Sequence, residues 1–354
     1  PLTGEVLALV GSRNFFDEEI DGQVNVPFSF RQPGSAFKPI SYAALFELGY
    51  PDVTILFDVP TNFGTDDKPY LPKNFDKKYR GPVTVRQSLA QSLNIPSIKV
   101  FYLAIPDRVI DLARKAGMSY LKDFNYYGLS LGIGTAEVKM KDLLRFYGAL
   151  ANDGILVTQS LIKQIVNSEG KIIYLYQPKK ERILSENSAR MVTDILKDPI
   201  ARIGLFQSSL NLTIFPGYEI ALKTGTTQNF VDAWTFGYSK NLVVGVWAGN
   251  SDGTPMTSES SSIVAALPIF HDFMQTMIDK GYITKDNFIP PQKYIYDKPM
   301  LNGSYISNYG IHDILFYVDR FNPLGPIPGF TSTDPQFINW ENGVKRWFSG
   351  TIEN

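Results

Sequence analysis

The stretch YEIALKTGTTQNFVDAWTFGYSKNLVVGVWAGN, residues 218–250, decides the fold. It holds three short runs, YEIALKTGTT, VDAWTFGY and LVVGVWAG, each apolar or alternating and each of strand length. Ser239-Lys240-Asn241 between the last two is a tight-turn signal, so they read as a hairpin. Gly225 closes the first run, and glycine in a strand marks a place where another backbone comes close. A set of consecutive antiparallel strands is therefore expected here.

Upstream, the texture is helical. Phe37 to Leu48 has helical spacing and stops at Gly49. Thr84 caps VRQSLAQSL, a short helix that ends at Asn94 ahead of Ile95-Pro96. Asp107 to Ala116 is a further helix, stopped by Gly117. Thr135 caps a longer one through Leu150, closed by Asn152-Asp153-Gly154. The intervening segment from Pro51 to Pro82 has no sustained period and reads as a folded excursion near the site. SLIKQIVNSEGKIIYLY reads as two strands around a turn, and Ser185 caps a helix to Lys197. Glu5 to Gly11 reads as a strand, and Ser262 to Lys280 as a final amphipathic helix. The order implies an α+β fold: an antiparallel sheet flanked by helices plus an all-helical lobe. The periodic part spans residues 1–282; residues 283–354, rich in Pro, Asn and Tyr, are expected to be a C-terminal extension of unassigned role, packed through Phe and Trp.

Composition narrows the chemistry. Lys+Arg of 34 against Asp+Glu of 35 gives a net charge of -1 over 354 residues, which offers no general case for a nucleic-acid partner. With no cysteine, disulfides and thiolate metal sites are excluded. Two histidines, His271 and His312, leave little room for a His-based metal site, so no metal and no cofactor is expected. No apolar stretch approaches the roughly 18 residues of a membrane span. The chain opens abruptly at PLTGEVLALVG, as if cut from a longer protein.

Three short motifs carry the chemistry. Ser35-x-x-Lys38, in RQPGSAFKP, puts a hydroxyl and an amine on one helix face, about one turn apart. Serine needs a base to attack at neutral pH, and a lysine can serve if burial or a nearby cation lowers its pKa. The pattern is common: it recurs at Ser119/Lys122, Ser160/Lys163 and Ser168/Lys171, in polar or turn contexts. Ser-x-Asn is commoner still, at Ser12/Asn14, Ser92/Asn94, Ser185/Asn187, Ser209/Asn211 and Ser239/Asn241, where a cap or turn is the ordinary reading. Lys223-Thr224-Gly225 occurs once, followed by Thr226. The order Ser35-x-x-Lys38, Ser92-x-Asn94, Lys223-Thr-Gly is that of serine/lysine acyl transferases, a group that includes β-lactamases and penicillin-binding proteins.

The context around the motifs resembles the transpeptidase domain of class A, bifunctional penicillin-binding proteins from about Thr3 to Lys280. TGEVLALVGSRNF, RQPGSAFKP, PKNFDKKYRGPVTVRQSLAQSLNIPS, LSLGIGTAEVKMKDLLRFYGALANDG and LKTGTTQNFVDAWTFGYS carry the likeness. The resemblance implies a serine D,D-transpeptidase that cross-links peptidoglycan stem peptides and is acylated by β-lactams. It implies Ser35 as nucleophile, Lys38 as its base and Ser92 as proton donor to the leaving amine. Asn94 would hold Lys38 and the substrate backbone, and Lys223 would supply positive potential. Thr224 and Thr226 would bind the donor carboxylate, the N–H groups of Ser35 and Thr226 would form an oxyanion hole, and Gly225 would let the substrate lie along the strand edge. Asp232 and Trp234 are expected to be structural. The resemblance also implies an extracytoplasmic bacterial setting, with a membrane anchor and a glycosyltransferase domain in the longer protein.

Three other readings compete. A class A β-lactamase needs a Glu-x-x-Leu-Asn deacylating loop, which is missing between Asn94 and Lys223; Glu137 is a poor substitute. A Ser-His-Asp hydrolase would use Ser251 in GNSDG, but the strands before it form a hairpin rather than parallel βαβ units. A β-lactam sensor or inactive scaffold would keep the motifs without turnover.

Overall fold

The computed structural model describes residues 1–257, 260–329 and 333–351. The elements that build the site follow in chain order. α1 (Lys38–Glu47) is followed by the hairpin strands β1 (Ile55–Asp58) and β2 (Gly81–Thr84). Next come α2 (Val85–Ala90), α3 (Asn94–Leu103), α4 (Pro106–Lys115), α5 (Met140–Ala151) and α6 (Glu186–Leu196). The sheet strands β3 (Ala221–Thr226), β4 (Asp232–Tyr238) and β5 (Val243–Gly249) precede α7 (Ala266–Asp279) and α8 (Phe337–Phe348).

The three strands form an antiparallel sheet in the order β5-β4-β3, with Trp234 opposite both Trp247 and Gly225. Side chains alternate across a strand. One face of β4 carries Trp234, Phe236 and Tyr238 into the main core, where Tyr147 of α5 stacks on Phe236 at 5.1 Å. The other face meets α7, and Gly237 lies so near the Phe270 ring that a Cβ would collide with it. The sheet therefore has a helix on each face, and the remaining helices form the expected lobe. At its centre, α1 and α3 are buried almost all round, as their near-continuous apolar sequences require. Gly49, at φ +90°, ends α1 as read from sequence. Ser185 caps α6, and Thr84 caps α2 in a reciprocal pair with Gln87.

Several expectations change. Glu5 to Gly11 is not a strand: only Glu5 bridges, to Ser160, while Leu7 and Val10 stand 75% and 78% exposed. Its apolar alternation finds no strand to pair with. Asn94 begins a helix rather than ending one. Pro96 falls in the first turn of α3, where a missing N–H costs nothing. Thr135 bonds the Ser130 hydroxyl at 3.0 Å and caps nothing; the helix starts at Met140 after the short strand Val138–Lys139. The helix at Ala266–Asp279 is not the last, since α8 follows.

The described residues beyond 283 pack into the main core through Met300, Leu301, Ile314 to Val318, Phe337, Trp340 and Val344. Lys99 of α3 and Asp313 pair at 2.7 Å with both side chains fully buried, and the Lys99 ammonium lies over the Trp340 ring at 4.9 Å. Removing one partner strands the other charge in the core. Asp313→Ala is expected to cost about 3–5 kcal/mol in denaturant unfolding, whereas Lys99→Met with Asp313→Leu together should cost far less. Among the described residues no helix is long and apolar enough to cross a membrane.

Candidate active site

Three elements converge. The turn Gly34–Phe37 leads straight into α1, so Ser35 stands half-exposed at its mouth and Lys38 lies wholly buried three residues on. Gly34, at φ +51°, adopts a conformation that disfavours a Cβ, and one there would come within 2.6 Å of the Thr226 carbonyl oxygen. The turn is pinned on three sides. Gly34 N–H donates to the Gly134 carbonyl at 3.2 Å, the Tyr147 hydroxyl to the Ala36 carbonyl at 2.9 Å, and the Trp234 indole to the Gln32 carbonyl at 2.9 Å.

The second motif sits in the bend between α2 and α3, where Ser92 takes φ +56°. The Lys38 amine donates to the Ser92 carbonyl at 2.7 Å, the Leu93 carbonyl at 3.1 Å and the Asn94 amide oxygen at 2.8 Å. From the sheet, the period-2 alternation of β3 turns Lys223 and Gly225 towards the helical lobe. The Lys223 amine donates to the Ser92 hydroxyl at 2.7 Å and to the Thr224 carbonyl at 2.8 Å. Two buried lysines thus meet at one serine.

Burial dominates both amines. It pushes Lys38 well below the usual lysine range, helped by the Lys223 charge and opposed by Asp58. It lowers Lys223 from 10.5 to about 7, helped by Arg202. Arg202 is itself 2% exposed and donates to the Leu196 and Thr213 carbonyls. Between pH 7 and 10.5 the unfolded chain binds the Lys223 proton that the folded chain has shed. Stability contributed by this group is therefore expected to rise with pH across that window, checked by denaturation at several pH values.

The predicted links are not all made. Among the described residues the Ser35 hydroxyl forms no hydrogen bond to Lys38; the amine has turned to the three oxygens of residues 92–94. The Thr226 hydroxyl donates to the Ser262 hydroxyl at 2.9 Å and accepts the Ser262 N–H at 3.0 Å. Thr224 is nearly buried. Gly225 does bring a second backbone close, but it is the nucleophile turn. A Cβ there would lie 2.8 Å from Ala36 N and nearer still to the Pro33 carbonyl. Trp234 is a core indole, and Asp232 accepts from the Trp247 indole at 2.8 Å beside Arg31 at 3.9 Å.

The competing motifs sit elsewhere. Ser168 and Lys171 flank the turn of the outer hairpin formed by Gln164–Val166 and Ile172–Leu175, and Lys163 pairs with Glu5. Ser239 bonds Asn241 inside the β4–β5 turn. Ser251 offers its carbonyl to Arg31, while His271 bonds the Leu212 carbonyl and His312 bonds Glu341. Ser258 and Glu259, in the run after GNSDG, lie outside the described residues. Glu137 is exposed. Sequence reasoning did not single out Tyr147, Asn74, Asp58 or Arg202, whose contacts to the motifs are tertiary.

Comparison with known proteins places the fold in a family. The penicillin binding protein transpeptidase domain family matches residues 1–275. Penicillin-binding protein 1A of Aquifex aeolicus is 31% identical over 83% of this chain and 39% of its own length. The Neisseria lactamica protein of that name is 28% identical over 77% of this chain and 34% of its own. The chain thus spans well under half the length of these relatives. The crystal structure of penicillin-binding protein 1A from Haemophilus influenzae superposes with a TM-score of 0.67 at 22% identity, over 88% of this chain and 50% of that one. The structure of PonA1 from Mycobacterium tuberculosis in complex with penicillin V gives 0.64 at 21% identity, over 76% and 74%. The helix-flanked antiparallel sheet, the meeting of Lys38 and Lys223 at Ser92 and the family match over residues 1–275 lead to one assignment: the chain belongs to the transpeptidase domain family of the penicillin-binding proteins.

Proposed function

We propose that the chain is a serine D,D-transpeptidase that cross-links peptidoglycan stem peptides through an acyl-enzyme at Ser35, and that β-lactams acylate the same serine. The observation that carries this reading is the meeting of two buried lysines at Ser92, beside the turn that presents Ser35. Such a site provides an amine whose proton burial makes easier to lose and a hydroxyl wired to a second amine. Titratable pairs of that kind suit acid–base work.

The Ser35 oxygen attacks the carbonyl of the penultimate D-Ala of the donor stem peptide, and its proton passes to neutral Lys38. The resulting oxyanion is held by the N–H groups of Ser35 and Thr226. Losing one such donor typically costs about 10²–10³ in rate. The close approach of Gly225 to Pro33 and Ala36 supports this pairing of donors. The intermediate collapses, the C–N bond to the terminal D-Ala breaks, and Ser92 gives the leaving amine its proton, regaining one from Lys223. An acceptor amine from a second stem peptide then attacks the ester. Its proton returns through Ser92 to Lys223, and Lys38 reprotonates Ser35, closing the balance. Asn94 orients Lys38 and the donor backbone. The donor carboxylate sits against the positive charge of the Lys223 region and bonds Thr224 and Thr226, the latter exchanging its Ser262 partner.

The reading implies an extracytoplasmic bacterial setting, with residues 283–354 an extension of the domain and a glycosyltransferase domain and membrane anchor in the longer protein. It separates from a β-lactamase in one assay. Nitrocefin is expected to give a burst of about one equivalent per chain and then slow turnover; sustained rapid hydrolysis would overturn it. Release of D-Ala from a stem pentapeptide separates enzyme from sensor.

A further inference from the structure

The orientation of Asn94 is set from outside the three motifs. Asp58, at the end of β1, is fully buried, and Asn74 lies in the β1–β2 connection with 4% exposure. The Asn74 amide nitrogen donates to both Asp58 carboxylate oxygens, at 2.8 and 2.9 Å, and to the Lys78 carbonyl at 2.8 Å. With its N–H groups spent on those acceptors, its oxygen must face the other way. It accepts the main-chain N–H of Asn94 at 2.8 Å. That N–H belongs to the first turn of α3, where no partner exists within the helix, and the preceding residue, Leu93, has no side-chain acceptor. Asn74 therefore caps α3 from a distant segment. The Asn94 side chain repeats the logic. Its nitrogen donates to the Lys73 carbonyl at 2.8 Å, so its oxygen is left to face the Lys38 amine. A carboxylate only accepts, so Asp58 sets the direction of the Asn74 bonds, while the Lys73 carbonyl sets that of the Asn94 side chain.

Resting on the transpeptidase reading above, we propose that Asp58 and Asn74 are positioning residues for the reaction. Through Asn74, Asp58 holds the Asn94 main chain at the start of α3, and with it the side-chain oxygen that faces Lys38. The groups facing this pair are few. Lys38 sees Lys223 from β3 and Asp58 from β1. Asp58 sees the Arg80 guanidinium at 3.8 Å, the Arg80 N–H at 3.1 Å, Lys99 of α3 and Tyr42 of α1. Burial pushes the Asp58 carboxyl up to about 6, against the pull of Asn74 and Arg80. Its anion opposes the lowering of Lys38.

The test is the pH profile of acylation by fluorescent penicillin in four chains: unaltered, Asp58→Asn, Asn74→Ala, and the swap Asp58→Asn with Asn74→Asp. Asp58→Asn sets a donor against the Asn74 amide and removes the anion near Lys38. The acylation rate is expected to fall by about 10²-fold, the cost of a misplacement near 1 Å. The midpoint at which acylation rises with pH should move down by roughly 1 unit, because the Lys38 ammonium loses its anion. Asn74→Ala keeps the anion and should lower the rate with a smaller shift. The swap restores both an acceptor for the Asn94 N–H and a negative charge, so rate and midpoint should return towards those of the unaltered chain. Thermal melts check folding, and should Asp58→Asn not fold, Asn74→Ala and the swap carry the test. Unchanged rates, or a rate loss with an unmoved midpoint and no recovery in the swap, would overturn the proposal. An unaltered chain that penicillin does not acylate would instead overturn the transpeptidase reading.

Discussion

Lys38→Met cuts the rate of acylation by a β-lactam by roughly 10²–10⁴, the usual contribution of a positioned base. Methionine has a similar length and no charge, so the main change is chemical. The buried amine that burial and Lys223 drive towards its neutral form is gone. Stability responds less. Relief of the cost of burying the amine offsets loss of its donations to Ser92, Leu93 and Asn94. Stopped-flow acylation beside a denaturant titration separates the two. A variant that acylates at the original rate would remove Lys38 from the mechanism.

Gly225→Ala is the second large effect, and its cause is steric. The new Cβ would meet the Pro33 carbonyl and sit 2.8 Å from Ala36 N, both fixed backbone atoms in a turn pinned by Tyr147 and Trp234. Neither can move without dragging α1 or the sheet. Overpacking of this kind costs about 1–3 kcal/mol. The larger consequence is geometric: β3 must draw back from the turn that carries Ser35. If Thr226 is an oxyanion donor as proposed, displacing it should lower acylation by about 10²-fold or more, the cost of one such donor. The measurement is the acylation rate in a variant shown by its melt to be folded; an undiminished rate would mean that the close approach has no part in the chemistry.

The parts of the fold that were legible in sequence are those fixed by local rules. Alternation marked β3, β4 and β5, the Ser185 and Thr84 caps marked α6 and α2, and Gly49 marked the end of α1. Misreadings came from rules whose outcome depends on position or partner. Pro96 reads as a stop signal but falls where a helix tolerates proline, so Asn94, expected to end one helix, instead begins another, α3. Glu5 to Gly11 has strand texture, yet a strand forms only against a neighbour. Beyond 283, Met300, Leu301 and Ile314 to Val318 reach the core from turns and short helices and so lack a period, whereas Phe337, Trp340 and Val344 of α8 keep a helical spacing hidden in a Pro- and Asn-rich segment.

The site divides along the same line. Ser35, Lys38, Ser92, Asn94 and Lys223 carry recognisable spacing, and the structure gathers four of them, Lys38, Ser92, Asn94 and Lys223, into one hydrogen-bonded group. Asp58, Asn74, Tyr147 and Arg202 have no motif. They reach the site through three-dimensional proximity, across separations such as the 111 residues between Tyr147 and Ala36.

The most direct test of the account is the location of the covalent adduct. The chain is incubated with penicillin, its intact mass is measured and the adduct is mapped by peptide sequencing, beside Ser35→Ala and Ser251→Ala. The account predicts one adduct per chain, on Ser35, retained in Ser251→Ala and lost in Ser35→Ala. An adduct on Ser251 or another serine, or one that survives in Ser35→Ala, would contradict it.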